Sequence, residues 1–591
     1  IVILVDYLKL NLYQFSKKPI QLVVFYIVLV GLASCDTKAK KDHLLSEKKY
    51  RKGELPVQEG MTLFNDNCAS CHNFFYTEMG PNLSGITAKI DKKWLKSFIL
   101  NPQKMIAEGD KIAVEQFERF NVYMPAFSHL DDNQLENLLA FIHKHAEGEK
   151  KNKNKRKGGL INPISEKIPK STHMLFVEEF VTLPPSASIA PDTRINTFRA
   201  ISIKQKERLF VGDLRGVLFE ISEGATNPYL SLKESISEFI DRPGYGTGFG
   251  SFAFHPEFET NGLLYTTHTE ASNTKKADFH LPEGVTSRLQ WVVSEWETKV
   301  PTESKFSGTR RELLRVDMIG SSHGFQDLTF NPTSKPKSVD YGLLYLGIGD
   351  GAAALAGYPE LCKDESTIWG SIIRIDPRGS NSRNEQYGIP QDNPFVEVDG
   401  SVGEVWSNGF RNPHRLAWNA NGNKMLVSNI GQHSVEEVNL VLKGADYGWP
   451  YREGNFIFDV DANPELVYPY GDKTEDNYFE PVIQFDHDEG NAVCGGHFYL
   501  GDKIKRLKGK YLFGDIARGT LFVANEAELV QGSSASIHKV DLTVDGQQTT
   551  LQEIRPNERV DLRFGQDLAG DLYLFTKSNG KVYKVVNFKE K

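Results

Sequence analysis

Cysteine is scarce in this chain, with five residues in 591, at positions 35, 68, 71, 362 and 494. So few thiols exclude a disulfide-stapled scaffold. Charge of one sign is missing too: 69 Lys and Arg face 77 Asp and Glu, a formal net charge of −8. That balance argues against a nucleic-acid partner, which a basic stripe would announce. The one basic cluster, Lys150-Lys151-Asn152-Lys153-Asn154-Lys155-Arg156-Lys157, runs into Gly158-Gly159 and reads as a solvated linker at a domain boundary. The apolar run Leu22 to Ala33 is shorter than the roughly 20 residues a membrane-spanning helix needs. From residue 172 onward, helical periodicity of useful length is lacking.

What the N-terminus does contain is an address. Lys17-Lys18 precede the apolar run, which ends Leu32-Ala33-Ser34-Cys35. A basic region, a short apolar stretch and small residues before the cut describe a secretory signal. Placed directly before a cysteine, they look like a bacterial lipobox. Residues 1–35 are therefore expected to be a lipoprotein signal, with Cys35 lipidated and residues 36–52 a tether. The protein is expected to be exported and lipid-anchored to a bacterial membrane, on its periplasmic or cell-surface side.

Cys68-Ala69-Ser70-Cys71-His72 carries the first chemistry. Two thiols three positions apart can each add across a vinyl group of one haem, and the adjacent His ligates the iron. Half of a zinc site is the competing reading, but no second pair of Cys or His ligands follows at finger spacing. Gly60-Met61-Thr62-Leu63-Phe64 precedes the motif at helical spacing, Met79-Gly80-Pro81-Asn82-Leu83 follows it, and Tyr123-Met124-Pro125-Ala126-Phe127 leads into a helical run of Leu135, Leu138, Leu139 and Ile142. Residues 53–147 thus resemble a small, all-α class I cytochrome c. The resemblance implies His72 and Met124 as the two iron ligands of one covalent haem c. Met79 lies too close behind His72 to cross the ring, and Met105 lacks the Met-Pro context.

After a linker at 148–171, residues 172–588 read as short strands separated by Gly, Asp, Asn and Pro. A hairpin pattern of apolar strand, Gly-containing turn and second strand recurs at 208–219, 510–522 and 571–583. Short strands repeating over some four hundred residues point to an all-β propeller, and about 40–50 residues per blade would fit six to eight blades.

Several segments then carry a family resemblance. They are Phe252-Ala-Phe-His-Pro-Glu-Phe258, Trp369-Gly-Ser-Ile-Ile-Arg-Ile-Asp-Pro377, Tyr387-Gly-Ile-Pro-Gln-Asp-Asn-Pro394, Gly409-Phe-Arg-Asn-Pro413, Glu436-Glu-Val-Asn-Leu440 and Gly444-Ala-Asp-Tyr-Gly-Trp-Pro450. Together they resemble the glucose/sorbosone dehydrogenases, six-bladed β-propeller quinoproteins that bind pyrroloquinoline quinone (PQQ) and Ca²⁺. The resemblance implies His323, in Ser321-Ser322-His323-Gly324, as the catalytic base. It implies Arg411 and Asn412 as quinone contacts, and the carbonyls of Gly431 and Gln432 as calcium ligands. Arg518, Arg559 and Arg563 are candidates for further cationic contacts with the cofactor. The residue types suit these roles. Guanidinium forks bind carboxylates two-handed, Ca²⁺ takes carbonyl oxygens, and a neutral His can accept a hydroxyl proton. His255 sits at a strand end and reads as a packed residue. Ser322 and Ala517 depart from the glucose-oxidising members, which tend to carry Asp and Lys there, as does the wide spacing of Arg559 and Arg563. These departures point to a more distant aldose-dehydrogenase-like branch or another substrate.

The resemblances combine into an expected function. A membrane-anchored quinohaemoprotein dehydrogenase would oxidise a sugar or related alcohol by hydride transfer to PQQ. Electrons would pass to the haem c and on to a respiratory acceptor. Two rivals stand beside it: a propeller without quinone that binds a glycan or protein, and an electron-transfer subunit that docks a separate dehydrogenase. Cys362 and Cys494 lie far apart in sequence, and both a disulfide between them and two buried thiols fit an exported chain.

Overall fold

A computed structural model of the chain describes residues 50–145, 156–188, 190–244, 246–470, 477–556 and 558–591. The expected signal segment with Cys35, most of the tether and the basic cluster up to Lys155 lie outside the described residues. Among the described residues no helix is long and apolar enough to cross a membrane. The chain divides into two compact units. The smaller holds the described residues up to Met61 together with Ser84–Lys96 and the described part of Leu130–Gly148. The larger holds Thr62–Leu83, Ser97–His129 and the described residues of Glu149–Lys591.

In the smaller unit the helix Asp132–Lys144 opens on a capping box, Asp131 with Gln134, and buries Leu135, Leu138, Leu139 and Ile142. That is the apolar stripe expected from their spacing. Asn137 sits on the same helix against Gly60 of the helix Glu54–Asn67. A Cβ at Gly60 would lie 2.0 Å from the Asn137 carbonyl oxygen and 2.9 Å from Phe141 Cβ, so the two backbones meet where no side chain fits. Asn137 Nδ2 donates to Glu59 beside this crossing.

The larger unit is dominated by antiparallel strands. Ile195–Ile203 opens a four-stranded sheet, and Phe249–Phe254, Phe325–Phe330 and Pro413–Trp418 each open another. The remaining long strands form one nine-stranded sheet. In it two four-stranded runs, opened by Val493–Phe498 and Leu562–Gln566, are joined by parallel pairing of Lys170–Thr182 with Ile537–Val544. The three expected hairpins are all present, for instance Lys206–Asp213 paired with Val217–Ser222. The opening strands of the six runs adjoin one another in a closed cycle. The last strand, Lys581–Glu590, pairs antiparallel with Lys170–Thr182, so opposite ends of this region close one sheet.

Where opening strands adjoin, the packing is polar and tight. Arg199 pairs with the fully buried Asp327 at 2.6 Å, and Asn196 Nδ2 donates to the carbonyl of Gly250. A Cβ at Gly250 would stand 2.4 Å from the Phe325 carbonyl, so glycine sets the spacing there. Cys362 and Cys494 are both buried and both free, so neither forms a disulfide.

Candidate active site

Two sets of residues carry the chemistry. The first begins where the helix Glu54–Asn67 ends. Cys68 donates its N–H to Phe64, and the N–H groups of Cys71 and His72 both bond the Cys68 carbonyl, coiling the motif into one turn. His72 Nδ1 lies 2.9 Å from the Pro81 carbonyl oxygen. A carbonyl can only accept, so Nδ1 carries the proton and Nε2 keeps its lone pair, the form an iron ligand requires. Burial lowers the pKa of His72, and the bond to Pro81 opposes that shift. A Cβ at Gly80 would be 2.3 Å from the imidazole, so the backbone itself forms one wall of the ring's slot. These residues fit a covalent haem.

The methionines separate. Met79 Sδ lies 4.0 Å from Cys71 Sγ and 3.2 Å from Arg559 Nη1, turned towards the thiol side. Met124 is half-buried in the Met-Pro loop, its carbonyl accepting from Gln103 Nε2 at 2.8 Å.

The second set centres on His323, between the strands Gly308–Met318 and Phe325–Phe330. Its φ of 57° is left-handed, which is uncommon for a residue with a side chain and marks a constrained turn. Gly324 follows because a Cβ there would strike the Trp291 indole. His323 Nδ1 meets Asp350 Oδ1 at 2.7 Å. Asp350 also accepts from the Ala352 N–H and, through Oδ2, from Trp449 Nε1, while its own N–H donates to the Arg411 carbonyl. Burial pushes the Asp350 carboxyl upward, but His323, Arg411 and the Ala352 N–H together hold it below the usual carboxylate range. Burial and the Arg411 charge lower the pKa of His323 against the pull of Asp350. The imidazole is therefore neutral at pH 7, its Nδ1–H on Asp350 and its Nε2 able to accept a proton.

Arg411 donates from Nε to Gln432 Oε1 and from Nη1 to the Ile430 carbonyl. Asn412 Oδ1 and Gln432 Nε2 are buried beside it without a hydrogen-bond partner. Such orphaned polar atoms ask for a ligand group. The loop carrying Gly431 and Gln432 wraps a single carboxylate: Glu453 Oε1 accepts from the N–H groups of Gln432, His433, Ser434 and Val435 at 2.8–2.9 Å. In a trans peptide the carbonyl points opposite to the following N–H. The Gly431 and Gln432 carbonyls consequently face away from Glu453, free to meet a cation. Among the described residues no group of three or more His, Cys, Asp or Glu side chains is placed to hold a metal. A Ca²⁺ here would rest on these carbonyls.

The three late arginines part company. Arg563 donates to Asn196 Oδ1. Arg559 pairs with Asp561 at 2.8 Å. Arg518 directs both terminal nitrogens to the carbonyls of His487 and Asp488, which leaves its fork little to offer a cofactor. His255 is buried, bonded to Asn261 and the Glu257 N–H, a packed residue as expected. Sequence reasoning missed Asp350, Trp449 and Glu453. Asp350 had a signal, since Gly349-Asp350-Gly351 directly follows the apolar strand Leu344–Ile348. Glu453 had none, because its partners are backbone groups.

Two family models match the chain. A family model described as Glucose / Sorbosone dehydrogenase matches residues 198–584, and one described as Cytochrome c matches residues 57–146. HIPL2 protein of Arabidopsis thaliana is 26% identical over 442 residues, covering 66% of this chain and 60% of that protein. The Hedgehog-interacting protein of Homo sapiens is 26% identical over 393 residues, covering 64% of this chain and 49% of that protein. Quinoprotein glucose dehydrogenase B of Acinetobacter calcoaceticus is 31% identical over 225 residues, covering 37% of this chain and 43% of that protein. The chain thus spans 60% or less of the length of each of these three relatives.

Proposed function

Since the chain belongs to the glucose/sorbosone dehydrogenase family and carries a cytochrome c domain, we propose that it is a PQQ-dependent quinohaemoprotein dehydrogenase acting on an aldose sugar or related alcohol. The His323–Asp350 pair carries this reading. Asp350 fixes the tautomer and stabilises the imidazolium that forms when Nε2 takes the substrate hydroxyl proton. Arg411, with the unpartnered Asn412 Oδ1 and Gln432 Nε2, supplies hydrogen-bonding groups that fit a planar quinone bearing carboxylates. Arg559, paired with Asp561, and Arg563, bonded to Asn196, are the remaining candidates for cationic contacts with the cofactor. The Gly431 and Gln432 carbonyls would hold Ca²⁺. PQQ supplies a two-electron acceptor when bound, and haem c on Cys68, Cys71, His72 and Met124 a one-electron outlet. Lipidation at Cys35 would keep the protein at a bacterial membrane surface, close to a respiratory acceptor.

The test uses haem-loaded protein with Ca²⁺, with and without PQQ, offered a panel of aldoses and simple alcohols. PQQ-dependent growth of the reduced haem c absorption band is expected, and His323→Ala should abolish it. The name of the human relative, Hedgehog-interacting protein, keeps a second reading in view, a propeller that binds without catalysing. Failure to bind PQQ in a titration, together with an oxidised haem throughout, would establish that second reading instead.

A further inference from the structure

The loop that follows the haem motif is closed on itself. Asn73 Oδ1 accepts the N–H groups of Phe75 and Tyr76, Glu78 N–H donates to the Gly80 carbonyl, and Gly80 N–H donates to the Cys71 carbonyl. Within the larger compact unit this loop is pinned at two points. Thr77, buried, donates its N–H to Glu465 Oε1 at 2.6 Å, and Met79 Sδ receives Arg559 Nη1 at 3.2 Å. Tyr76 stands just before the first pin and Glu78 between the two. Both lie close enough to Arg411 to feel its charge, and Tyr76 also feels Asp350. Burial and Glu78 hold the Tyr76 phenol well above its usual range, so its hydroxyl remains a donor.

We propose that this loop roofs the His323–Asp350–Arg411 site, with Tyr76 and Glu78 determining which substrates enter. A site covered in this way favours a monosaccharide or small polyol over the interior of a glycan chain. The proposal rests on the dehydrogenase reading and deepens it, because the segment that attaches haem also selects the substrate. Neither side chain ligates iron or belongs to the proton-transfer pair, so both are specificity-determining positions.

Two experiments on the full, haem-loaded chain test it. In the first, Thr77→Cys and Glu465→Cys are combined and the protein is oxidised. A disulfide between the two new thiols, found by mass spectrometry of a digest, is expected if the loop lies where it is pinned. In the second, kcat/KM for a monosaccharide and for its linear trisaccharide are compared through haem reduction. The parent is expected to prefer the monosaccharide by about 100-fold, and Tyr76→Ala and Glu78→Ala to narrow that ratio about 10-fold or more. A non-catalytic readout accompanies it: stopped-flow PQQ binding should be faster in Glu78→Ala, where a carboxylate no longer guards Arg411. An unchanged sugar ratio and PQQ binding rate in both variants overturns the roof, as does absence of the disulfide. If no substrate reduces the haem in any variant, the dehydrogenase reading fails, and the disulfide alone then decides the roof.

Discussion

At the residue scale, the proposed proton transfer depends on which nitrogen of His323 carries a proton. The bond to Asp350 settles that, so Asp350→Asn is expected to hurt catalysis through the tautomer rather than through the fold. Haem reduction should fall about 100-fold or more, within the range lost with a general base, while PQQ affinity measured by titration stays near the parent value. Because burial and Arg411 depress the pKa of His323, the acid limb of the parent's pH profile should lie below the ordinary imidazole value near 6.5. A second residue ties stability to pH. Burial raises the Glu437 carboxyl from 4.5 to about 8. A raised folded value means the folded state binds the extra proton between these two points, so this contribution is present in acid and lost as pH climbs from 4.5 to about 8. Glu437→Gln mimics the protonated form. The variant's Tm relative to the parent should therefore rise between about pH 5 and about pH 8, and thermal melts at the two pH values check it.

At the element scale, two loops owe their shape to backbone groups. Four N–H groups converge on Glu453 Oε1, and leaving buried donors without an acceptor costs about 1–3 kcal/mol each. Glu453→Ala should destabilise the protein by at least about 3 kcal/mol, read by urea unfolding. Surviving folded protein should bind Ca²⁺ more weakly by calorimetry. Gly60→Ala places a methyl into the helix crossing at Asn137 and should cost about 1–3 kcal/mol in the same assay. The hairpins were legible in the sequence because strand alternation and glycine turns are local signals. The haem turn was legible because its spacing is rigid. Asp350 was half-legible, as an acid between glycines at a strand end. Glu453 was not, since a side chain that organises a distant loop through N–H groups leaves no pattern of residue types. Arg518 illustrates the opposite case: its type suited a cofactor, yet its fork is taken by two carbonyls that no sequence pattern reveals.

At the scale of the whole molecule, radial repetition was legible from strand spacing, but the continuous nine-stranded sheet was not, since pairing between the two ends of the region depends on closure. That closure gives a further prediction. Val582, Val585 and Phe588 are buried in the last strand. Deleting Lys581–Glu590 removes them and bares the edge of Lys170–Thr182. The truncated protein should lose the cooperative thermal transition of its β-rich part, visible by circular dichroism.

The same seam has a consequence in time. A ring sealed by Lys581–Glu590 stays incomplete until the ribosome has passed that strand. Cys68 and Cys71 emerge hundreds of residues earlier. The haem motif therefore leaves the ribosome while the ring cannot yet close, so folding of the motif does not wait for the seam.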